Sequence, residues 1–236
     1  MHIHILYEDN HLLVVEKPVN VPVQEDASGD PDLLSLLKDD IKRRYQKPGN
    51  VFLGLVHRLD RPVGGVMVFA KTSKAASRLA DVLRKGDMGR EYLAVVHGQP
   101  RKREATLEHF LWKDTKKNKV HVTNSKREGA KRAILSYEVL DHARNHSLIA
   151  VTLQTGRSHQ IRVQLAKSGT PLYGDQKYGE KLNRPGEQLA LWAHRLEFPH
   201  PTTKEWLSFE SMPPNVHPWN VHPWNALQKE ASMYAR

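Results

Sequence analysis

The chain has 236 residues, 39% of them hydrophobic, which is enough for a sizeable core in one large domain or two small ones. Lys and Arg number 36 against 26 Asp and Glu, a net charge of +10, which points to a polyanionic partner or simply to good solubility. The absence of cysteine excludes disulfides, thiolate zinc sites and cysteine nucleophiles.

The N-terminal stretch, Met1 to Ile5, lacks the basic start and apolar core of a signal peptide. No apolar run approaches the ~20 residues needed to span a bilayer. The expectation is a soluble, cytoplasmic protein with no membrane partner.

In chain order, residues 3–7 and 11–17 read as short β-branched strands around the turn Glu8-Asp9-Asn10. Residues 20–31 form a Pro-, Asp- and Gly-containing loop. Leu33, Leu34, Leu36, Leu37 and Ile41 recur at helical spacing, so 32–46 is an amphipathic helix ended by Pro48-Gly49. Apolar runs at 51–56 and 66–70 read as strands. Thr72 or Ser73 caps a helix over 74–85 that stops at Gly86. Strands follow at 90–98, 104–112, 119–124, 131–140 and 148–153. Ser158 is expected to cap a helix carrying Ile161, Val163 and Leu165. Residues 170–187 are loop-rich, and 189–198 pairs with 206–209 as a final strand pair.

Many strands at roughly ten-residue spacing, with few helices between them, argue for an α/β (α+β) fold. Its sheet is expected to be mixed and mostly antiparallel, with flanking helices. No linker interrupts residues 1–212, so one domain is expected over 1–214. The tail, 215–236, repeats Asn-Val-His-Pro-Trp at 215–219 and 220–224, a local duplication too short to be a structural repeat. It is expected to be disordered or to lie on the surface.

Several chemistries are missing. No Gly-rich phosphate loop and no His-Glu-x-x-His zinc signature occurs. Ser158 and His159 are adjacent and cannot face each other, and the Gly-x-Ser-x-Gly elbow is lacking. His217 and His222 alone do not make a metal site, which needs further ligands and an ordered surround. The basic turn around Lys116, Lys117 and Lys119, with Lys126 and Arg127, is a solvated face or a set of phosphate contacts.

Two charged constellations stand out. His57-Arg58-Leu59-Asp60-Arg61 lies on a loop between two apolar runs, where scaffolds present reactive groups. Two guanidiniums flank Asp60 and favour its ionised form, which suits a nucleophile or base. The bland alternative is a turn-capping aspartate with solvated arginines. In the second constellation, Arg162 lies between Ile161 and Val163, and an arginine in an apolar segment needs a carboxylate partner or must snorkel to water. Asp60 is a plausible partner.

These residues resemble a known family. His57 to Arg61 with Val68 to Thr72 is similar to motif II of the RluA-type pseudouridine synthases. Arg90 to Gly98 is similar to that family's tyrosine strand, and Thr155 to Leu165 to its motif III. Gly169 to Asp175 through Tyr178-Gly179, and Leu196 to Thr202, also fit. The resemblance runs in order from about residue 5 to 214.

The resemblance implies isomerisation of uridine to pseudouridine in RNA without cofactor or metal. It implies Asp60 as nucleophile, attacking the ribose C1′ or the base. Arg162 would pair with Asp60, and Tyr92 would lie against the uracil and assist proton removal from C5. Arg58 would fill the space left by the extruded nucleotide. His57, Arg61, Lys71 and Arg157 are the further candidate RNA contacts. Lys71 and Arg157 read equally as ordinary strand-end and helix-end cations, and Tyr92 as an ordinary sheet tyrosine.

Pro62-Val63-Gly64-Gly65 departs from the acidic, Thr, Ser and Gly residues common in relatives. The expectation is a loop stiffer at Pro62 and looser at the glycines, which puts its RNA contacts in question. The catalytic domain begins near residue 5, so no S4 RNA-binding domain is expected. The partner is then a compact element of tRNA or ribosomal RNA, met by a monomer. A binding protein with a degenerate site and a metal-independent ribonuclease using His and Lys are the rival readings.

Overall fold

A computed structural model describes residues 3–223. The chain forms two compact units: one takes residues to Arg90 with Ala193–Met212, the other Glu91–Trp192 with the chain from Pro213. The fold is α+β, a mixed sheet with few helices.

In the first unit the strand order is β1 (His4–Glu8), β2 (Leu12–Lys17), β4 (Gly64–Ala70), β10 (Leu191–Pro199). The two-residue β3 (Gly54–Leu55) lies on β4, and β11 (Trp206–Glu210) on β10. The β1–β2 turn is set by Asp9, whose carboxylate accepts the N–H groups of His11 and Leu12, both at 2.7 Å. Leu12 to Val15 are fully buried, so β2 is covered on both faces and reads as a continuous apolar run. It pairs antiparallel with β1 and β4.

Helix α1 (Leu33–Arg44) starts at Asp32, which accepts the Ser35 N–H, and buries Leu33, Leu37 and Ile41. Helix α2 (Ser73–Lys85) starts at Thr72, which accepts the Ala75 N–H, and ends at Gly86 in the left-handed region. Its Ala75 and Leu79 close a core with Leu12, Val14, Val66, Val68, Leu196 and Phe198.

The run at 51–56 shrinks to β3, with Phe52 exposed, while β4 begins two residues earlier than expected. Gly64 and Gly65 are therefore strand, not loose loop. At Gly65 φ is +114°, and an added Cβ would lie 2.1 Å from the Ala193 carbonyl oxygen on β10. The glycine is there because another backbone presses against it.

The second unit orders β5 (Gly89–His97), β9 (His146–Leu153), β8 (Lys131–Ala143), β6 (Glu104–Asp114) and β7 (Lys119–Thr123), each pair antiparallel. Helix α3 (Gln160–Lys167) is buried from Gln160 to Leu165, and its Val163 packs with Leu111, Val120 and Ala133.

Ser158 does not cap α3. The cap position falls on His159, at φ +51° with no side-chain cap bond. The turn is held instead by Gln160, whose amide oxygen accepts the Arg157 N–H (2.9 Å) and the Thr155 hydroxyl (2.8 Å). Its amide nitrogen donates to the Ile134 carbonyl.

The start of the tail is ordered. Trp219 is buried, and His222 Nδ1 lies 2.7 Å from the Asp141 carboxylate. The last residue of the second Asn-Val-His-Pro-Trp copy, Trp224, lies outside the described residues.

Candidate active site

Asp60 sits in the first unit, on a turn closed by the Val63 N–H donating to the Asp60 carbonyl (2.9 Å). Leu59 and Val63, on either side, are buried at 6% and 2% exposure and anchor the turn while Asp60 stays half-buried. Lys17 at the end of β2 locks it further. Its fully buried Nζ donates to the carbonyls of Arg61 (3.0 Å) and Pro18 (2.7 Å). Burial pulls the Lys17 pKa down to about 7, the charge of Asp60 opposing that shift and Arg61 adding to it. The Lys17 amine thus supports the Arg61–Pro62 peptide, one residue beyond Asp60.

His57 Nε2 accepts the Val68 N–H (3.2 Å), tying the motif to β4. Burial, reinforced by Arg90, pushes its pKa down to about 4, so the ring is neutral at pH 7. Arg58 is exposed, and its Nη1 donates to the Gln24 side-chain oxygen at 3.4 Å.

Arg61 is bound to its own unit: Nε donates to the Asn20 carbonyl, Nη1 to Ser28, and the guanidinium pairs with Asp30 and, at 3.8 Å, with Asp26. Lys71 pairs with Glu8 (2.8 Å), donates to the Asp9 carbonyl and lies over the Tyr45 ring. Of the first unit's four candidate RNA contacts, Arg58 and Arg61 are exposed, while His57 and Lys71 are partly buried.

In the second unit Tyr92 is buried on β5, opposite Val151 of β9. Arg157 is exposed, and its Nε donates to the Arg132 carbonyl (3.0 Å). Arg162 is buried on α3. Its Nε donates to Asp175 Oδ2 and its Nη2 to Asp175 Oδ1, both at 2.8 Å. The Tyr178 ring lies 5.3 Å from the guanidinium carbon. Asp175 Oδ1 also accepts the N–H groups of Lys177 (2.9 Å) and Tyr178 (3.1 Å). Burial would raise the Asp175 pKa, but the Arg162 pair and the two N–H donors hold it below the ordinary carboxylate range.

Lys17 and Asp175 carry no role in the sequence reading. The signal for Asp175 was present: a buried arginine demands a carboxylate, and an aspartate stands 13 residues on. For Lys17 the signal was a charged residue closing an otherwise apolar strand.

A sequence model described as RNA pseudouridylate synthase matches residues 11–167, a span containing Asp60, Tyr92 and Arg162. This chain belongs to the RluA-type family of RNA pseudouridine synthases. It is therefore an isomerase. It is 34% identical to ribosomal large subunit pseudouridine synthase D of Vibrio cholerae, over 90% of this chain and 68% of that protein. It is 33% identical to ribosomal large subunit pseudouridine synthase C of Salmonella typhimurium, over 88% of this chain and 65% of that protein. The chain thus spans about two thirds of the length of these curated relatives. Human RNA pseudouridylate synthase domain containing 4 shares the fold, with a TM-score of 0.76 at 23% identity over 95% of this chain and 93% of that one.

Proposed function

We propose that this synthase isomerises uridine in structured RNA, ribosomal RNA first and tRNA second, with Asp60 as the nucleophile. The supporting observation is the family match enclosing Asp60, on a turn that Lys17, Leu59 and Val63 hold in place. Ribosomal RNA is preferred because both relatives are named for the large ribosomal subunit.

In this reading Asp60 attacks the ribose C1′ or the uracil, and the N1–C1′ bond breaks. The freed base turns, C5 bonds to C1′, and the bond to Asp60 breaks and returns its carboxylate. C5 then loses its proton and N1 gains one, so the product is an isomer and no cofactor or metal is consumed. Tyr92 lies against the uracil and assists removal of the C5 proton. Arg162 pairs with Asp60 and orients it. A uridine inside a helix must first be flipped out, at a cost of a few kcal/mol. Arg58 offsets that cost by filling the vacated space. Arg157 holds phosphate, with His57, Arg61 and Lys71 as further RNA contacts, and the +10 charge draws the RNA in. Residues 1–214 act as the catalytic domain, as a monomer in the cytoplasm.

The test is pseudouridine mapping on unmodified ribosomal RNA and tRNA, each incubated with wild type and with Asp60→Ala. A new pseudouridine from wild type alone establishes the reaction and the substrate class. Tight binding without pseudouridine in either RNA would instead favour a binding protein, and strand scission a ribonuclease.

A further inference from the structure

Asp175 is a carboxylate with no exposed side-chain surface, and both of its oxygens are engaged on Arg162. Paired carboxylates of this kind fix a guanidinium in plane and direction, because two parallel N–H bonds define its orientation. The loop that presents Asp175 is itself braced. Asn183 accepts the Gly174 N–H (2.6 Å) and donates to the carbonyls of Leu172, Asp175 and Gly179. At Gly174, φ is +73° and a Cβ would lie 2.1 Å from the Gln188 carbonyl oxygen, so the backbone there is packed without slack. Tyr178, three residues on, lays its ring against the same guanidinium. Its hydroxyl accepts the Val120 N–H (2.8 Å) and lies 2.7 Å from His159 Nδ1, which ties the ring to β7 and to the start of α3.

Arg162 is therefore held along its Nε–Nη2 edge and against Tyr178, on a helix buried all round. A cation placed only to balance one nucleophile would not need a second buried carboxylate with its own bracing. We infer that Asp175 is a positioning residue for the isomerisation: by clamping the Nε–Nη2 edge of Arg162, it holds that guanidinium in the single orientation the reaction needs. The inference rests on the assignment of Asp60 and Arg162 given above. It makes Arg162 an orienting group whose charge Asp175 already balances.

Asp175→Asn separates this role from a purely structural one. The asparagine oxygen can still accept from Lys177, Tyr178 and Arg162 Nη2, while its amide nitrogen faces the Arg162 Nε–H, donor against donor. Misplacing a catalytic group by about 1 Å costs roughly 10²-fold in rate. The expected result is a fall in single-turnover rate of about that size at saturating RNA, with RNA affinity within about twofold of wild type. In the Arg162→Met background the same substitution should cost less than about threefold, because there is no longer a guanidinium to position. Independent, multiplicative losses in that cycle would overturn the inference, as would a defect confined to RNA affinity.

A second measurement does not depend on activity. The Arg162 Nε–H resonance, assigned by its loss in Arg162→Met, should be protected from solvent exchange in wild type and exposed in Asp175→Asn. Rapid exchange in wild type would overturn the inference even if the variant did not fold. Absence of pseudouridine from wild type on every RNA would sink the functional reading, while protection of this resonance would still show the clamp.

Discussion

Asp60 sits on a turn that its neighbours anchor: Leu59 and Val63 are buried and the Arg61 carbonyl is fixed by Lys17. Asp60→Asn keeps the shape of the side chain but not its charge or nucleophilicity. It should fold and bind RNA as wild type does while producing no pseudouridine in a mapping assay; measurable turnover would remove the residue from its role. Lys17 gives a second prediction, on stability. Its folded pKa is about 7, against about 10.5 for an unperturbed lysine. Below pH 7 the amine is charged in both states and the full cost of burying it is present. Between pH 7 and about 10.5 the folded state releases its proton while the unfolded chain keeps it, so stability rises with pH at up to ~1.4 kcal/mol per unit. Lys17→Met cannot show this. Urea denaturation at pH 6.5, 7.5 and 8.5 should find wild type gaining on Lys17→Met at each step, and a constant difference would mean that the amine stays charged.

Helices α1 and α2 were legible because their signals are local: Asp32 and Thr72 at the caps, Gly86 at a stop, leucines at helical spacing. The strands were legible from their β-branched runs. Three features were not read there. The start of α3 is set by Gln160, which bonds Arg157 and Thr155 beside it and the Ile134 carbonyl 26 residues away. The Arg162 partner seen within its unit, Asp175, sits on a loop whose position depends on Asn183. Gly65 reads as a loop glycine, yet it is strand, because β10 passes against it. The last point is testable against a control. Gly65→Ala adds a clash with the Ala193 backbone to an unfavourable φ and should cost on the order of 3 kcal/mol or more. Gly86→Ala, at φ +85° with no atom within 4 Å, carries the φ penalty alone and should cost about 1 kcal/mol. Equal losses in chemical denaturation would show that contact with β10 does not constrain β4.

For the molecule as a whole, the perturbed groups lean in one direction with pH. His57 is held neutral by burial, with a pKa of about 4, and burial also lowers His109 and His146, the latter helped by His97, His217 and His222. Each binds a proton more readily when unfolded, so each loses stability as pH falls below the ordinary histidine value of about 6.5. Asp9 and Asp175 are held below the carboxylate range despite burial, by hydrogen bonds and, for Asp175, by Arg162. Their contribution persists above the unfolded carboxylate pKa and is lost only as pH falls through their lowered folded values. Lys17 adds a cost that is full below pH 7. On the alkaline side Tyr7, Tyr137 and Tyr173 are raised, chiefly by burial, so stability declines above about pH 10, where the unfolded tyrosines ionise and the folded ones do not. The urea midpoint should therefore rise from pH 4.5 to about 9, most steeply between 4.5 and 6.5, where the histidines titrate, and turn over above 10. His146→Gln should flatten part of the acid limb without moving the alkaline turn. A midpoint that is flat or falling between pH 5 and 9 would mean that these groups meet water in the folded state, and that the burial of His57 and Lys17 around the Asp60 turn is not maintained in solution.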